Sequence, residues 1–455
     1  MSRHISWLLL LMPALATAQA PSVGLDEALR RAATENPQAQ AAEWAVVAAR
    51  SRKWQAISYY GPTFSLDANH LWWDQEIAVS LAGDEPLDCT TIPPPLDGIC
   101  LGLGQPLVVR EEQTTSVTVM AVQPLTGLLP ISQGHMATEH LQKAAELDLE
   151  VKSSDVAVQV VEAYFGALSA QRMAEVASTV VANLESHEAR ASAFHDAGLL
   201  QKNELLQIRV ALANAKLSER RASDGRDLAR GLLAMLIGAD EGTVVPKDVA
   251  EEAVLAPSAE FDGSTTGAAR PDVAAMRHRV AAAEAGRRAK IFELGPDVAA
   301  IAAWQRNEGM GSFAAQEATY VGLTASWQLW GWGRKHWALR EATATAKQAR
   351  VGLQAMTDAV PIEVKRSWDS VAASWQAYEV AQVTDAQARE NHRIVSARFD
   401  NQLATATDLL DAESLLAQAR MSRLTSRYDY LTAVARWQRT TGVNVEPLGT
   451  EGVSP

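Results

Sequence analysis

The chain is 455 residues long, has only two cysteines and carries a formal net charge of −13. A length of this order allows two or three domains, and the acidic balance argues against nucleic acid as a partner, because phosphate binding needs a basic face. Beyond the N-terminus no eighteen consecutive apolar residues occur, so no membrane-spanning helix is expected.

Arg3 and His4 precede an apolar run over 5–12, and Ala14, Ala16, Ala18 and Ala20 follow it. This is the charged, apolar and small-residue order of a secretory signal peptide. Cutting after Ala20 would put Pro21 beside the scissile bond, so residues 1–18 are expected to be the signal peptide. The run is too short to anchor the chain, since a helix needs about 20 residues to cross ~30 Å of hydrocarbon. No cysteine lies near the cut to carry a lipid anchor.

In the mature chain a short helix leads to a first strand, expected at about 62–72. Phe64, Leu66, Ala68, His70 and Trp72 fall on one face, and Thr63, Ser65, Asp67 and Asn69 on the other. Period two with one apolar and one polar face is a strand between two solvents. Its partner is expected at 114–123, with Val117, Val119 and Ala121 on the apolar face. Residues 73–113 between them are rich in proline and glycine and hold both Cys89 and Cys100, which either close a small loop in an oxidising compartment or stay as free thiols.

A helical hairpin over about 133–237 follows. Its outgoing stripe, Val156, Val160, Ala163, Ala167, Ala170, Ala174, Ala177, Val181 and Leu184, alternates steps of four and three, a coiled-coil seam of small knobs. Around 60 residues at 1.5 Å each make a rod of ~90 Å. After Gly198 a return helix carries Leu205, Ile208, Leu212 and Ala215. Residues 239–268, rich in Gly, Pro, Ser and acidic side chains, read as a linker.

The second half repeats this plan. Strands are expected at about 296–306, with Val298, Ala300, Ala302 and Trp304 on one face, and at 318–328, with Val321, Leu323, Ala325 and Trp327. A hairpin over about 334–441 then shows Val364, Trp368, Val371, Trp375 and Tyr378 going out, and Leu409, Ala412, Leu416 and Ala419 coming back. Residues 443–455 read as a polar, flexible tail. The repetition is a tandem duplication. Residues 197–206 return at 401–410, a shift of 204 that also pairs Gly127 with Gly331, Ser192 with Ser396, and Gly238 with Gly442. Nearer the start the shift is 234, pairing Pro37 with Pro271 and Gly61 with Gly295, so about 30 extra residues sit in the first half. The repeats therefore run 19–238 and 269–442. Aromatics bracket the four strands: Tyr59, Tyr60, Trp72 and Trp73 around the first, then Trp304, Trp327, Trp330 and Trp332. Amphipathic rings at both ends of ten-residue apolar faces form the girdle of an outer-membrane barrel.

Signal peptide, doubled strand pairs and doubled long hairpins together resemble the TolC-type outer-membrane efflux proteins. The resemblance runs from about Gly24 to Gly442. It includes Asn36–Pro37 and Arg270–Pro271 before short helices, Gln123–Pro124–Leu125 ending a strand, and the hairpin tips. It implies a mainly α chain with a membrane β-barrel: duplicated helical hairpins in an α-barrel, and four strands per chain in a 12-stranded barrel closed by a homotrimer. Four strands cannot close a barrel alone, as membrane barrels start at eight. It also implies a place in the outer membrane, among its lipids and reaching into the periplasm. The partners it implies are a periplasmic adaptor and an inner-membrane transporter, met by tips at Gly198, Leu199, Leu403 and Thr405. Such a channel-tunnel conducts cargo passively, in efflux or in type I secretion.

In that family paired acids ring the constriction, and Asp408 and Asp411 occupy the matching positions. Spaced i,i+3, they share a helix face, and a ring of carboxylates favours cations. Phe399 and Ala404 stand where some members carry a hydrogen-bonding latch, which puts such a latch in doubt here. A periplasmic adaptor would show one hairpin without duplication, and a stand-alone porin would need more strands and no long helices. No enzyme, cofactor or metal is expected: the nine histidines include no H-E-x-x-H, and there is no phosphate-binding loop or nucleophile elbow.

Overall fold

A computed structural model describes residues 22–79, 107–240, 244–249, 254, 256–257, 270–311, 314–443 and 445. The signal peptide, Cys89 and Cys100 lie outside the described residues, as do most of 250–269 and of the tail. The chain forms two units, one of residues 1–45, 146–274 and 354–455 and one of 46–145 and 275–353, so each draws on both sequence repeats.

The second of these units holds a four-stranded sheet. β2 (Thr63–Trp72), β5 (Gln113–Pro124), β7 (Asp297–Glu308) and β8 (Glu317–Ser326) lie in that order, every neighbour antiparallel. The register joins the alternating faces predicted strand by strand. Phe64 pairs with Ala121, Ala121 with Ala302, and Ala302 with Val321. The next such row is Leu66, Val119, Trp304 and Thr319. One side of the sheet is thus mainly apolar, while Asp67, Thr118 and Gln305 share a row on the other. A one-residue slip in any pair would exchange the faces, so the pattern fixes the register. β3 (Ile77–Val79) and β4 (Leu107–Arg110) form a separate antiparallel pair following β2 and preceding β5, with a register shift inside it at Ile77/Ala78. Three and four residues are too few to show alternation within 73–113. Gly309, at φ 79°, closes the turn after β7; a Cβ there would lie 2.0 Å from the Gln113 carbonyl oxygen.

Helices α2 (Pro37–Ser58) and α5 (Pro271–Phe292) are copies of one another, each 22 residues long and opening on proline. Proline suits a first helical position because its missing N–H would have no partner there. Each ends shortly before a Gly-Pro pair, Gly61–Pro62 and Gly295–Pro296, from which the strands start.

In the first unit, α1 (Leu25–Glu35) joins parts of the long helices α3 (Leu128–Asp196), α4 (Lys202–Leu236), α6 (Arg334–Asp400) and α7 (Ala406–Thr441). Most of the predicted seam is buried, including Val156, Val160, Ala167, Val181 and Leu184 on α3, Val364, Trp368 and Val371 on α6, and Leu409, Ala412, Leu416 and Ala419 on α7, while Ala163, Ala170, Leu212, Ala215 and Trp375 are half-buried. Aromatics join the small knobs in this core. Tyr164, Phe165, Tyr428, Tyr430 and Trp437 pack there, with Trp368 and Trp437 ring centres 5.4 Å apart. A two-residue parallel pair, β1 (Ser22–Val23) with β6 (Val245–Pro246), crosses this core. The Tyr164 hydroxyl holds it, lying 2.6 Å from the Lys247 carbonyl and 3.0 Å from that of Val23. Burial pushes the Tyr164 phenol up to about 12. Asp248 accepts two bonds from Arg172 at 2.7 and 3.0 Å and one from Tyr428. The described part of the linker is therefore fastened to the core. Among the described residues no helix is long and apolar enough to cross a membrane.

Candidate functional site

The two hairpin tips are built by one motif. At the first, α3 ends in a Schellman turn: the Leu199 amide donates to the Phe194 carbonyl at 2.8 Å and the Gly198 amide to that of His195 at 2.9 Å. Gly198 takes φ 75°, which a residue without Cβ adopts freely. The second tip repeats both bonds, Leu403 to Arg398 at 2.8 Å and Gln402 to Phe399 at 2.9 Å. There the left-handed residue is Gln402, at φ 62°. A side chain in that region costs about 1–2 kcal/mol, so the second tip is the more strained.

Under the tips lies a small apolar cluster of Ala191, Leu205, Ile208, Phe399, Ala406 and Leu409, with Ala404 and Phe194 packed against it. Phe399 is 2% exposed and its ring faces that of Phe194 at 6.2 Å. At Phe399 and Ala404 the tips are held together by apolar packing. Leu199 and Leu403, by contrast, are exposed at the two ends.

Asp408 and Asp411 are both exposed, but their surroundings differ. The Asp408 carboxylate accepts from the Thr405 amide at 2.9 Å and its hydroxyl at 2.8 Å, and the Asp408 amide donates back to that hydroxyl at 3.2 Å. This is a capping box, in which two orphan donors at a helix start are satisfied reciprocally. Those bonds hold the Asp408 carboxyl below its ordinary value. The first repeat has the same device one shift earlier, with Glu204 accepting from the Gln201 amide at 3.4 Å. Asp411 makes no cap. It lines an open groove between α4 and α7 with Asn203, Gln207, Val210 and Asn214. Thr405, predicted as a tip contact, is the N-cap of α7.

The aromatic residues sit on the sheet and just beyond it. Tyr59 and Tyr60 precede β2, Trp327, Trp330 and Trp332 follow β8, and Trp72 and Trp73 close β2 at its far end. Tyr59, Trp72, Trp73, Trp327, Trp330 and Trp332 are exposed, and Tyr60 is half-buried. Trp73 donates to the Thr114 hydroxyl at 3.0 Å, with the Arg110 guanidinium 3.8 Å from its ring centre. Trp304 lies inside the ladder, opposite Val119 and Thr319, where its indole donates to Glu317 at 2.7 Å.

Folding also assembles a cluster that no local spacing announces. His187 of α3, His392 of α6 and Glu413 of α7 bring one ligand atom each within 4.8 Å of one another. Burial, and then the neighbouring Arg190 charge, push His187 below its ordinary value.

Residues 264–443 match the model of the family described as outer membrane efflux protein. Over 306 residues the chain is 24% identical to the alkaline protease secretion protein AprF of Pseudomonas aeruginosa, a match that takes in 64% of this chain and 62% of AprF. The chain thus aligns with less than two thirds of that relative's length. The solved CmeC outer membrane channel of Campylobacter jejuni is similar at a TM-score of 0.74 and 15% identity, over 93% of this chain and 86% of its own. The outer membrane protein VceC of Vibrio cholerae is similar at 0.72 and 16%, over 93% and 97%. Identities this low speak for the fold, and the family match lies in the second repeat. The second repeat thus matches the outer membrane efflux protein family in sequence, and nearly the whole chain shares the fold of solved outer-membrane channels.

Proposed function

We propose that this chain is one subunit of a homotrimeric duct in the outer membrane, extending into the periplasm. It conducts cargo passively to the exterior, in tripartite efflux or type I secretion, from a periplasmic adaptor and an inner-membrane pump. The observation that carries this reading is the open sheet. β2 and β8 are the edge strands, each with a partner on one side only among the described residues, and Phe64, Leu66, Trp72, Val321 and Leu323 on the sheet's apolar side are all between 68% and 81% exposed. Such a sheet is stable in neither water nor lipid: water meets the apolar face, and lipid meets unpaired backbone at two edges. Closure with further copies removes both costs at once. At least eight strands are needed, hence more than one chain, and three is what the family resemblance implies. The family match and the AprF name, which speaks of secretion, support the transport role. Exposed apolar side chains along α4, at Leu206, Val210, Leu217, Leu228 and Met235, supply a second strip for neighbouring subunits.

Protein extracted from outer membranes in detergent should have the mass of three chains by light scattering, and should form cation-preferring channels in planar bilayers. A monomer that stays soluble without detergent would overturn the barrel.

A further inference from the structure

Two imidazoles and a carboxylate, drawn from three helices, point at one spot some ten residues from the hairpin tips. His187 and Glu413 are each 3% exposed, and the His392 side chain is 17% exposed. Glu413 Oε2 lies 2.5 Å from His392 Nε2 and 4.0 Å from His187 Nε2. None of these three buried atoms has a hydrogen-bond partner of acceptable geometry. The other carboxylate oxygen is held from behind, since Asn183 Nδ2 donates to Glu413 Oε1 at 2.9 Å. Oε2 is thereby turned toward the two rings.

Unpartnered buried polar atoms are costly, and three converging on one point call for something that satisfies all three. A proton shared by His392 and Glu413 accounts for two of them. It leaves His187 Nε2 at 4.0 Å, beyond hydrogen-bond reach. We infer that His187, His392 and Glu413 form a binding site for a divalent transition-metal ion of the zinc class, which fastens the first hairpin to the second near their tips. Two nitrogens and one oxygen are a zinc ligand set that leaves the fourth tetrahedral position for water. Bonds of about 2.0–2.2 Å would set the ligand atoms about 3.3 Å apart, so His392 backs away slightly from Glu413 while His187 closes in. Mg²⁺ and Ca²⁺ are disfavoured, because they take oxygen ligands in larger number. An entry path exists: Glu413 also lines an open groove with Leu184, Asn214, Ser218 and Met421.

One contact opposes binding and sharpens the test. Arg190 Nη2 lies 2.6 Å from His187 Nδ1, and donation there puts the ring proton on Nε2. Metal binding moves that proton to Nδ1 and releases Arg190, which keeps Asp400 at 3.2 Å as a partner. Removing the arginine should therefore tighten binding, which a merely structural cluster would not predict.

The test uses the purified full-length protein, free of any affinity tag and stripped with EDTA, with Co²⁺ as the spectroscopic probe. One Co²⁺ per chain should bind with the intense visible absorption of a four-coordinate site and be displaced by Zn²⁺. His392→Asn and Glu413→Gln, both close to the native shape, should each weaken binding more than about 100-fold, and Asn183→Ala about 10-fold as an outer-shell change. Arg190→Gln should strengthen it. A cobalt spectrum no more intense than that of the aqueous ion, or binding that survives both ligand substitutions, would overturn the site. The readout depends on neither oligomeric state nor conductance, so it stands apart from the duct reading.

Discussion

Asp408 and Asp411 lie one turn apart on α7, yet only one of them has a structural reason to be acidic. Asp408 ties down the start of its helix through Thr405, and its counterpart Glu204 does the same for α4. Capping alone accounts for a side-chain acceptor at that position of each repeat. Because the Thr405 bonds lower the Asp408 pKa, this cap is present above the ordinary carboxylate range and is lost as pH falls through the lowered value. Asp411 answers to Gln207 in the first repeat and makes no such bond, so its charge is the better candidate for a pore constriction. The expected outcome is a separation between the two: Asp411→Asn should reduce cation preference and divalent-ion block in planar bilayers while changing stability by less than about 0.5 kcal/mol. Asp408→Asn, which keeps an oxygen for the Thr405 amide, should leave more of that selectivity in place. Equal selectivity in Asp411→Asn and the parent would place this carboxylate away from the conducting path.

The hairpins are near-copies as elements, and their difference is concentrated at the tips. Gly198 and Gln402 occupy the same left-handed position in the same turn. Gln402→Gly should relieve ~1–2 kcal/mol of backbone strain, offset by ~0.5–1 kcal/mol for the greater freedom of glycine in the unfolded chain. Amide hydrogen exchange across 398–405 should therefore slow, as the Leu403-to-Arg398 bond opens less often. Faster exchange would mean that Gln402 is not strained. Below the tips, the seam of α3 is legible in sequence because helices packed along their length repeat the same requirement at every turn. The cluster of His187, His392 and Glu413 is not legible, because its members come from three helices and meet only once.

At the scale of the whole molecule, the decisive feature is a sheet of four strands with two open edges. The strands alternate in direction from β2 to β8, so β8 of one copy would meet β2 of the next antiparallel, like every pair within this sheet. Opposed Cα atoms in such pairs lie about 4.5–5.5 Å apart, within the span of a disulfide. With both native cysteines replaced by serine, a cysteine at Asn69 combined in turn with cysteines along 318–324 should give covalent dimers and trimers on oxidation, at one or two positions only. Oxidised protein that runs as monomer at every position would exclude this edge pairing.

The four strand segments, the apolar side of each, the helical seams and the duplication that relates the halves all followed from the sequence by itself. These are local or periodic requirements, repeated every two residues along a strand and every three or four along a helix, so a linear chain displays them. Trp304 shows where that reading ends. Its face was fixed by alternation, but its place inside the ladder was set by the register with β5 and β8. Tertiary structure alone decided that Asp408 caps a helix while Asp411 lines a groove, that Asp248 fastens the linker to the core, and that two histidines and a glutamate share one point. Each of these depends on distances between residues remote in sequence, and only packing sets such distances.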